Sequence, residues 1–106
     1  MKRESVFQTN LKKELYKMFP GCFILRNDPN EIQGFPDLLI IFNDTWAMLE
    51  CKKSMDEPYM PNQEYYIDEL NRMSFAAMIC PENREEVLCE LQRSFSIKRP
   101  TRFSRR

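Results

Sequence analysis

Apolar residues recur at helical spacing near both ends of this chain and gather into short unbroken runs through its middle. Phe7, Leu11, Leu15 and Met18 fall three or four positions apart with charged residues between them, which predicts a helix over residues 4–19 stopped by Pro20 and Gly21. Residues 22–26 (CFILR) read as a short strand, and 27–33 (NDPNEIQ) as a polar loop. Two strand-like runs follow, 38–42 (LLIIF) and 45–49 (TWAML), parted only by the turn pair Asn43 and Asp44. Two prolines make 54–61 a loop. Tyr66, Ile67, Leu70 and Met73 then share one face of a helix over 62–73, with Asn62 as its N-cap. Residues 75–80 (FAAMIC) predict a buried strand, and Pro81 opens a last helix to about residue 92 with Val87, Leu88 and Leu91 as its apolar stripe. The expected order is α-β-β-β-α-β-α, an α/β chain built on a mixed α+β sheet.

The central pair of runs sets a register as well as a fold. With a two-residue turn, Phe42 opposes Thr45, Ile40 opposes Ala47, and Asp37 opposes Glu50. Directly opposed residues have Cβ atoms roughly 4.5–5.5 Å apart, and period-two alternation adds Lys52 to that face while turning Cys51 away. Two carboxylates so close call for a cation between them. Hard oxygen ligands suit Mg²⁺ or Mn²⁺, with the carbonyl of Cys51 as a third ligand beside Asp37 and Glu50. Lys52 is placed to orient a water and to neutralise charge in a phosphoryl transition state. The bland reading is an Asp/Glu pair at a strand edge bridged by lysine. Against it, both faces of the strand pair are apolar: Leu39, Ile41, Trp46 and Met48 on one, Leu38, Ile40, Ala47 and Leu49 on the other. A pair covered on both sides needs a reason for charges at its end.

Read as a whole, the segment GFPDLLIIFNDTWAMLECKKS (34–54) resembles the signature of the PD-(D/E)XK nuclease superfamily. Gly34 and Phe35 before Pro36 and Asp37 look like the Gly-x-Pro-Asp of its small VRR-Nuc and Holliday junction resolvase-like branches. The superfamily's αβββαβ core is similar to the order expected for residues 4–92, with an added C-terminal helix and basic tail. The resemblance implies a Mg²⁺- or Mn²⁺-dependent endonuclease acting on DNA and leaving 5′-phosphate and 3′-hydroxyl ends. It also carries over Glu4 as the acid of the first helix and Gln63 as the glutamine after the motif. Ordinary first-turn roles, as a helix-dipole acid and a solvated polar residue, compete with these two assignments. Topology brings all five positions to one sheet edge, where the N-terminus of the helix bearing Gln63 favours a phosphate. One departure is Met73 and Ser74, where many relatives carry a glycine near the end of that helix.

Composition narrows the chemistry further. The 106 residues include no histidine and two glycines, so serine and cysteine triads, histidine-metal nucleases, Rossmann fingerprints and P-loops are excluded. Cys22, Cys51, Cys80 and Cys89 lack metal-type spacing and read as buried reduced thiols. The net charge is zero, yet residues 1–92 carry 10 basic against 16 acidic residues, and six cations follow in 93–106. That tail, with Phe95 and Phe103 interleaved, is expected to grip a phosphate backbone and stack on bases. A solubilising tail folded back on the acidic body is the plainer alternative. Nucleic-acid contact is expected at the catalytic edge from Lys2, Arg3, Arg26, Lys53, Lys98, Arg99 and Arg102. Trp46, Met48, Tyr65 and Tyr66 read as core, and Asp56 and Glu57 as solvated loop.

The expectation is therefore one nuclease domain (1–92) with a basic tail (93–106). It is soluble and intracellular, free of membrane segments, and of a compactness that fits a phage-encoded protein in its host's cytoplasm. The expected partner is branched or duplex DNA of the kind met in recombination and repair, cut or nicked by a homodimer. Two other readings stay open: an inactive nuclease-fold module that binds nucleic acid or protein, and an inhibitor whose acidic body docks on another enzyme.

Overall fold

The computed structural model describes residues 5–96. Helix α1 (Val6–Met18) is followed by β1 (Phe23–Arg26), β2 (Leu38–Phe42), β3 (Thr45–Cys51), α2 (Gln63–Met73), β4 (Phe75–Ile79) and α3 (Arg84–Ser96). The sheet order is β1-β2-β3-β4, antiparallel throughout except for the parallel pair β3 and β4 that the α2 crossover creates. The expected element order and mixed sheet are both observed.

The β2–β3 hairpin has the anticipated register, with Phe42 opposite Thr45, Ile40 opposite Ala47 and Leu38 opposite Leu49. Asn43 supplies the left-handed residue of the turn at φ 56°, a conformation asparagine tolerates. Its two faces are covered by different helices. Leu38, Ile40, Ala47 and Leu49 pack with Leu11 and Leu15 of α1 and with Val87, Leu88 and Leu91 of α3. Met48 packs with Ile67 of α2 and Ala76 of β4, flanked by Leu39, Trp46 and Leu70. Sandwiching the hairpin in this way explains its continuous apolar runs and leaves only its open end for polar chemistry.

Several boundaries differ from the sequence expectation for local reasons. Ser5 caps α1, accepting the Gln8 N–H at 3.1 Å, so the helix starts at Val6. Asn62 is the N-cap of α2 but makes no side-chain cap bond, because its backbone is left-handed (φ 72°). The last helix begins three residues beyond Pro81, after Asn83 has accepted the Cys80 N–H at 2.8 Å and donated to the Met78 carbonyl at 3.1 Å. It also runs on to Ser96, which takes Arg93 and Phe95 out of the expected tail. Phe95 does not wait for a base: its ring lies 5.0 Å from that of Phe19 and 5.9 Å from that of Phe42. Tyr65 and Met73, expected inside, are exposed. Cys89 is exposed too, while Cys22 and Cys80 are buried and all four thiols are free. Among the described residues no helix is long and apolar enough to cross a membrane.

Candidate active site

The open end of the hairpin gathers Asp37, Glu50, Lys52 and Gln63 from three elements. Asp37 immediately precedes β2, after a fully buried Pro36. Both are held by Asn27, whose side chain donates to the Pro36 carbonyl at 2.8 Å while its backbone N–H donates to the Asp37 carbonyl at 2.7 Å. The ladder between β2 and β3 closes at Leu38 and Leu49, one pair short of the expected Asp37–Glu50 pairing. Instead the Asp37 carboxylate reaches across and accepts the Cys51 N–H at 2.9 Å through Oδ2.

Glu50 and Lys52 are each only 4% exposed, an expensive placement for two charges unless they are matched. Gln63 does the matching. Its Nε2 donates to Glu50 Oε2 at 2.9 Å, and its Oε1 accepts from Lys52 Nζ at 2.6 Å and from the Met60 N–H at 2.7 Å. Two donors on Oε1 fix which way the amide faces, so a single neutral side chain serves the carboxylate and the ammonium together. Lys52 Nζ also donates to the Pro58 carbonyl at 3.1 Å and lies 5.5 Å from the centre of the Tyr59 ring.

Gln63 reaches this position because of Gly34. At φ +87°, Gly34 packs so tightly on the start of α2 that a Cβ there would stand 2.6 Å from the Pro61 carbonyl oxygen and 2.8 Å from the Asn62 Cβ. The loop that delivers Asp37 and the helix that delivers Gln63 are thus locked backbone to backbone.

Burial, followed by the neighbouring Asp37 and Glu50 charges, pushes the Cys51 thiol up to about 12, against a smaller lowering by its bond to Gln8. It stays a neutral thiol and is no nucleophile; what Cys51 offers the site is its main chain. Two carboxylates and a main-chain carbonyl form an all-oxygen donor set, the chemistry that a hard divalent cation takes. Among the described residues there is no cluster of three or more His, Cys, Asp or Glu side chains suited to a metal. A cation here would accordingly draw on Asp37, Glu50, the Cys51 carbonyl and water.

No protein-family model matches the chain, and no curated protein matches it. A solved structure described as "VRR_NUC domain protein" superposes with a TM-score of 0.53 at 15% identity, over 87% of this chain and 93% of that one. The chain has a VRR_NUC-like fold. Within it the polar cluster occupies the sheet edge where β2 begins, β3 ends and α2 starts.

Other expected residues are dispersed. Arg26 ends β1, exposed, one residue before the Asn27 clamp, and Lys53 is exposed just after β3. Glu4, Lys2, Arg3, Lys98, Arg99 and Arg102 lie outside the described residues. Three residues of the site were not anticipated. Asn27 looked like one more polar loop residue. Glu57 is not merely solvated, since it accepts the Lys53 N–H at 2.7 Å and stands 4.0 Å from Lys52 Nζ. Gln8 is 7% exposed, and its signal was available: it precedes Leu11 and Leu15 by three and seven positions, on the same helix face.

Proposed function

We propose that this chain is a metal-dependent DNA endonuclease of the PD-(D/E)XK type. The observation that carries the reading is the Gln63 bridge, which holds a buried carboxylate and a buried ammonium beside Asp37 at one sheet edge. Asp37, Glu50 and the Cys51 carbonyl would hold Mg²⁺ or Mn²⁺. When bound, that ion supplies Lewis-acid stabilisation of the phosphoryl oxygens and lowers the pKa of water. Lys52 neutralises charge that develops on the phosphate and orients the attacking water. Gln63 positions Lys52 and Glu50 relative to one another, and Asn27 positions Asp37. Glu4 is retained in the proposal as a supporting acid. Arg26, Lys53 and the C-terminal cations are retained as contacts to the DNA backbone.

The substrate we favour is branched DNA such as a four-way junction, or a duplex that is nicked. A homodimer belongs to the same reading, with β1 as an edge strand carrying exposed Phe23 and Leu25. The test is cleavage of matched four-way-junction, flap, linear duplex and single-stranded DNA with Mg²⁺, Mn²⁺ or EDTA, comparing wild type with Glu50→Gln and Lys52→Ala. Metal-dependent cutting lost in both variants is the expected result. Binding without cleavage under any metal would replace the proposal with an inactive nuclease-fold binding module.

A further inference from the structure

β4 is an outer strand of the sheet, and its free edge carries a pattern that the proposed phosphate chemistry does not use. Ile79 accepts the Lys52 N–H at 2.9 Å, so by strand alternation Ala76, Met78 and Cys80 turn their peptide groups away from β3. Two asparagines occupy most of that edge. Asn71 Oδ1 accepts the Ala76 N–H at 3.1 Å. Asn83 donates to the Met78 carbonyl at 3.1 Å, accepts the Cys80 N–H at 2.8 Å and, through its own backbone N–H, donates to the Cys80 carbonyl at 3.2 Å. Between them the Ala76 carbonyl and the Met78 N–H point outward side by side, and among the described residues no hydrogen bond reaches either. The opening is too narrow for an added strand, because the side chains of Asn71 and Asn83 already hold the peptide groups with which its neighbouring residues would pair.

Ala76, Met78 and both asparagines line a cavity of ≈430 Å³ whose other walls include Tyr59, Phe75, Glu86 and Glu90. Small-molecule sites span about 300–1,000 Å³, so there is room for a planar group. A carbonyl acceptor beside an N–H donor matches the Watson–Crick edge of a nucleobase, where a donor N–H stands next to an acceptor. Tyr59, 43% exposed, adds an aromatic ring on which a base can stack. Glu86 and Glu90 repel phosphate, so the cavity suits a neutral base whose own phosphates stay outside. Tyr59 also ties the cavity to the candidate active site, since its ring centre lies 5.5 Å from Lys52 Nζ. A base bound here belongs to a nucleotide close to the phosphate that Lys52 attends. It can offer its Watson–Crick edge to β4 only if it is unpaired.

Resting on the nuclease reading, we propose that this cavity takes an unpaired base of the substrate strand beside the scissile phosphate, read by the Ala76 carbonyl and the Met78 N–H and stacked on Tyr59. The test follows the Met78 backbone amide by NMR in EDTA. The probes are a short oligothymidylate, an abasic strand of the same length and a fully paired duplex. Oligothymidylate should move the Met78 signal and bind roughly tenfold or more tighter than the abasic strand. The abasic strand and the duplex should leave the signal in place. Met78→Pro removes the donor without breaking a ladder bond, because that N–H faces away from β3. It should bring oligothymidylate binding down to the abasic level. A Met78 signal unmoved by oligothymidylate, or moved equally by the abasic strand or the duplex, would overturn the proposal, as would wild-type binding by folded Met78→Pro. If that variant does not fold, the wild-type titrations decide. Metal-dependent cleavage without a Met78 response sinks this cavity alone, whereas a base-dependent Met78 response without cleavage under any metal sinks the nuclease reading and leaves a pocket for unpaired bases.

Discussion

Gly34 lies against Asn62 with no room for a side chain: a Cβ on Gly34 would meet the Asn62 Cβ at 2.8 Å. Backbone on both sides of this contact leaves nothing flexible to give way, and φ +87° adds a conformation that L-residues avoid. Gly34→Ala should therefore destabilise the protein by about 2–4 kcal/mol in urea titration. It should also part the Asp37 loop from Gln63, so that catalysis falls further than the loss of folded protein explains. Activity unchanged at a temperature where the variant is fully folded would show that this contact does not set the site.

Gln63 touches both Glu50 and Lys52 through its amide. Gln63→Leu keeps approximate volume but leaves two buried charges without their shared partner, a cost of about 1–3 kcal/mol. The expected result is a fall in kcat of roughly ten- to hundredfold with little change in DNA affinity. Gln63→Glu should be at least as impaired, because it sets a second carboxylate against Glu50. Equal kcat for wild type and both variants would remove Gln63 from the mechanism.

Asn27 should act at one remove from the chemistry. Its side-chain bond to the Pro36 carbonyl and its backbone bond to the Asp37 carbonyl fix where the carboxylate begins. Asn27→Ala retains the second bond and loses the first, so a stability loss of about 1 kcal/mol is expected. If Asn27 positions Asp37, the variant's apparent affinity for Mn²⁺, read by calorimetry without DNA, should weaken alongside turnover. Unchanged Mn²⁺ affinity with lowered stability would make its role purely structural.

What the sequence disclosed and what it hid divide along a physical line. The hairpin register was readable because a two-residue turn and two doubly covered strands leave one pairing that buries both faces. The placement of Asp37, Glu50 and Lys52 at one edge followed from that register. Their actual contacts did not, since the strand pair opens one residue early and Asp37 spends an oxygen on the Cys51 N–H. Asn27 and Gly34 act through backbone approach across the fold, which no local pattern reports. Tyr65 and Met73 were misplaced because an apolar side chain on α2 is buried only where the sheet extends beneath it. Phe95 was assigned to a tail by the charges around it, although its spacing of four from Leu91 continues the stripe of α3.

The thiols offer a pH test whose sign is fixed by burial. Cys51 is held at about 12, and Cys22 is raised by burial as well, from an ordinary value of 9.0. In the unfolded chain these thiols ionise first, so their contribution to stability is full below about pH 9 and is lost as pH climbs toward 12. Cys51→Ala keeps the main-chain carbonyl and should flatten part of this alkaline decline. At pH 8 a thiol reagent should modify exposed Cys89 in the native protein and reach buried Cys22 and Cys80 only on unfolding. Fast native labelling of Cys80 would contradict its burial.

The end of the folded unit can be located by where shortening the chain begins to cost stability. Phe95 packs its ring on Phe19 and Phe42, and the three rings close the end of the core under α1 and α3. A chain ending after Ser96 keeps this cluster and should unfold at the same urea concentration as the full chain. One ending after Gln92 loses it, leaves Phe19 and Phe42 partly uncovered, and should be less stable by about 2–3 kcal/mol. DNA binding separates the two effects: the cations beyond residue 96 are absent from both shortened chains, so a loss of affinity shared by both belongs to the tail's charge. If the chain ending after Ser96 binds DNA as tightly as the full chain at low salt, the basic tail is not a DNA contact, and the grip on the backbone must come from the sheet edge alone.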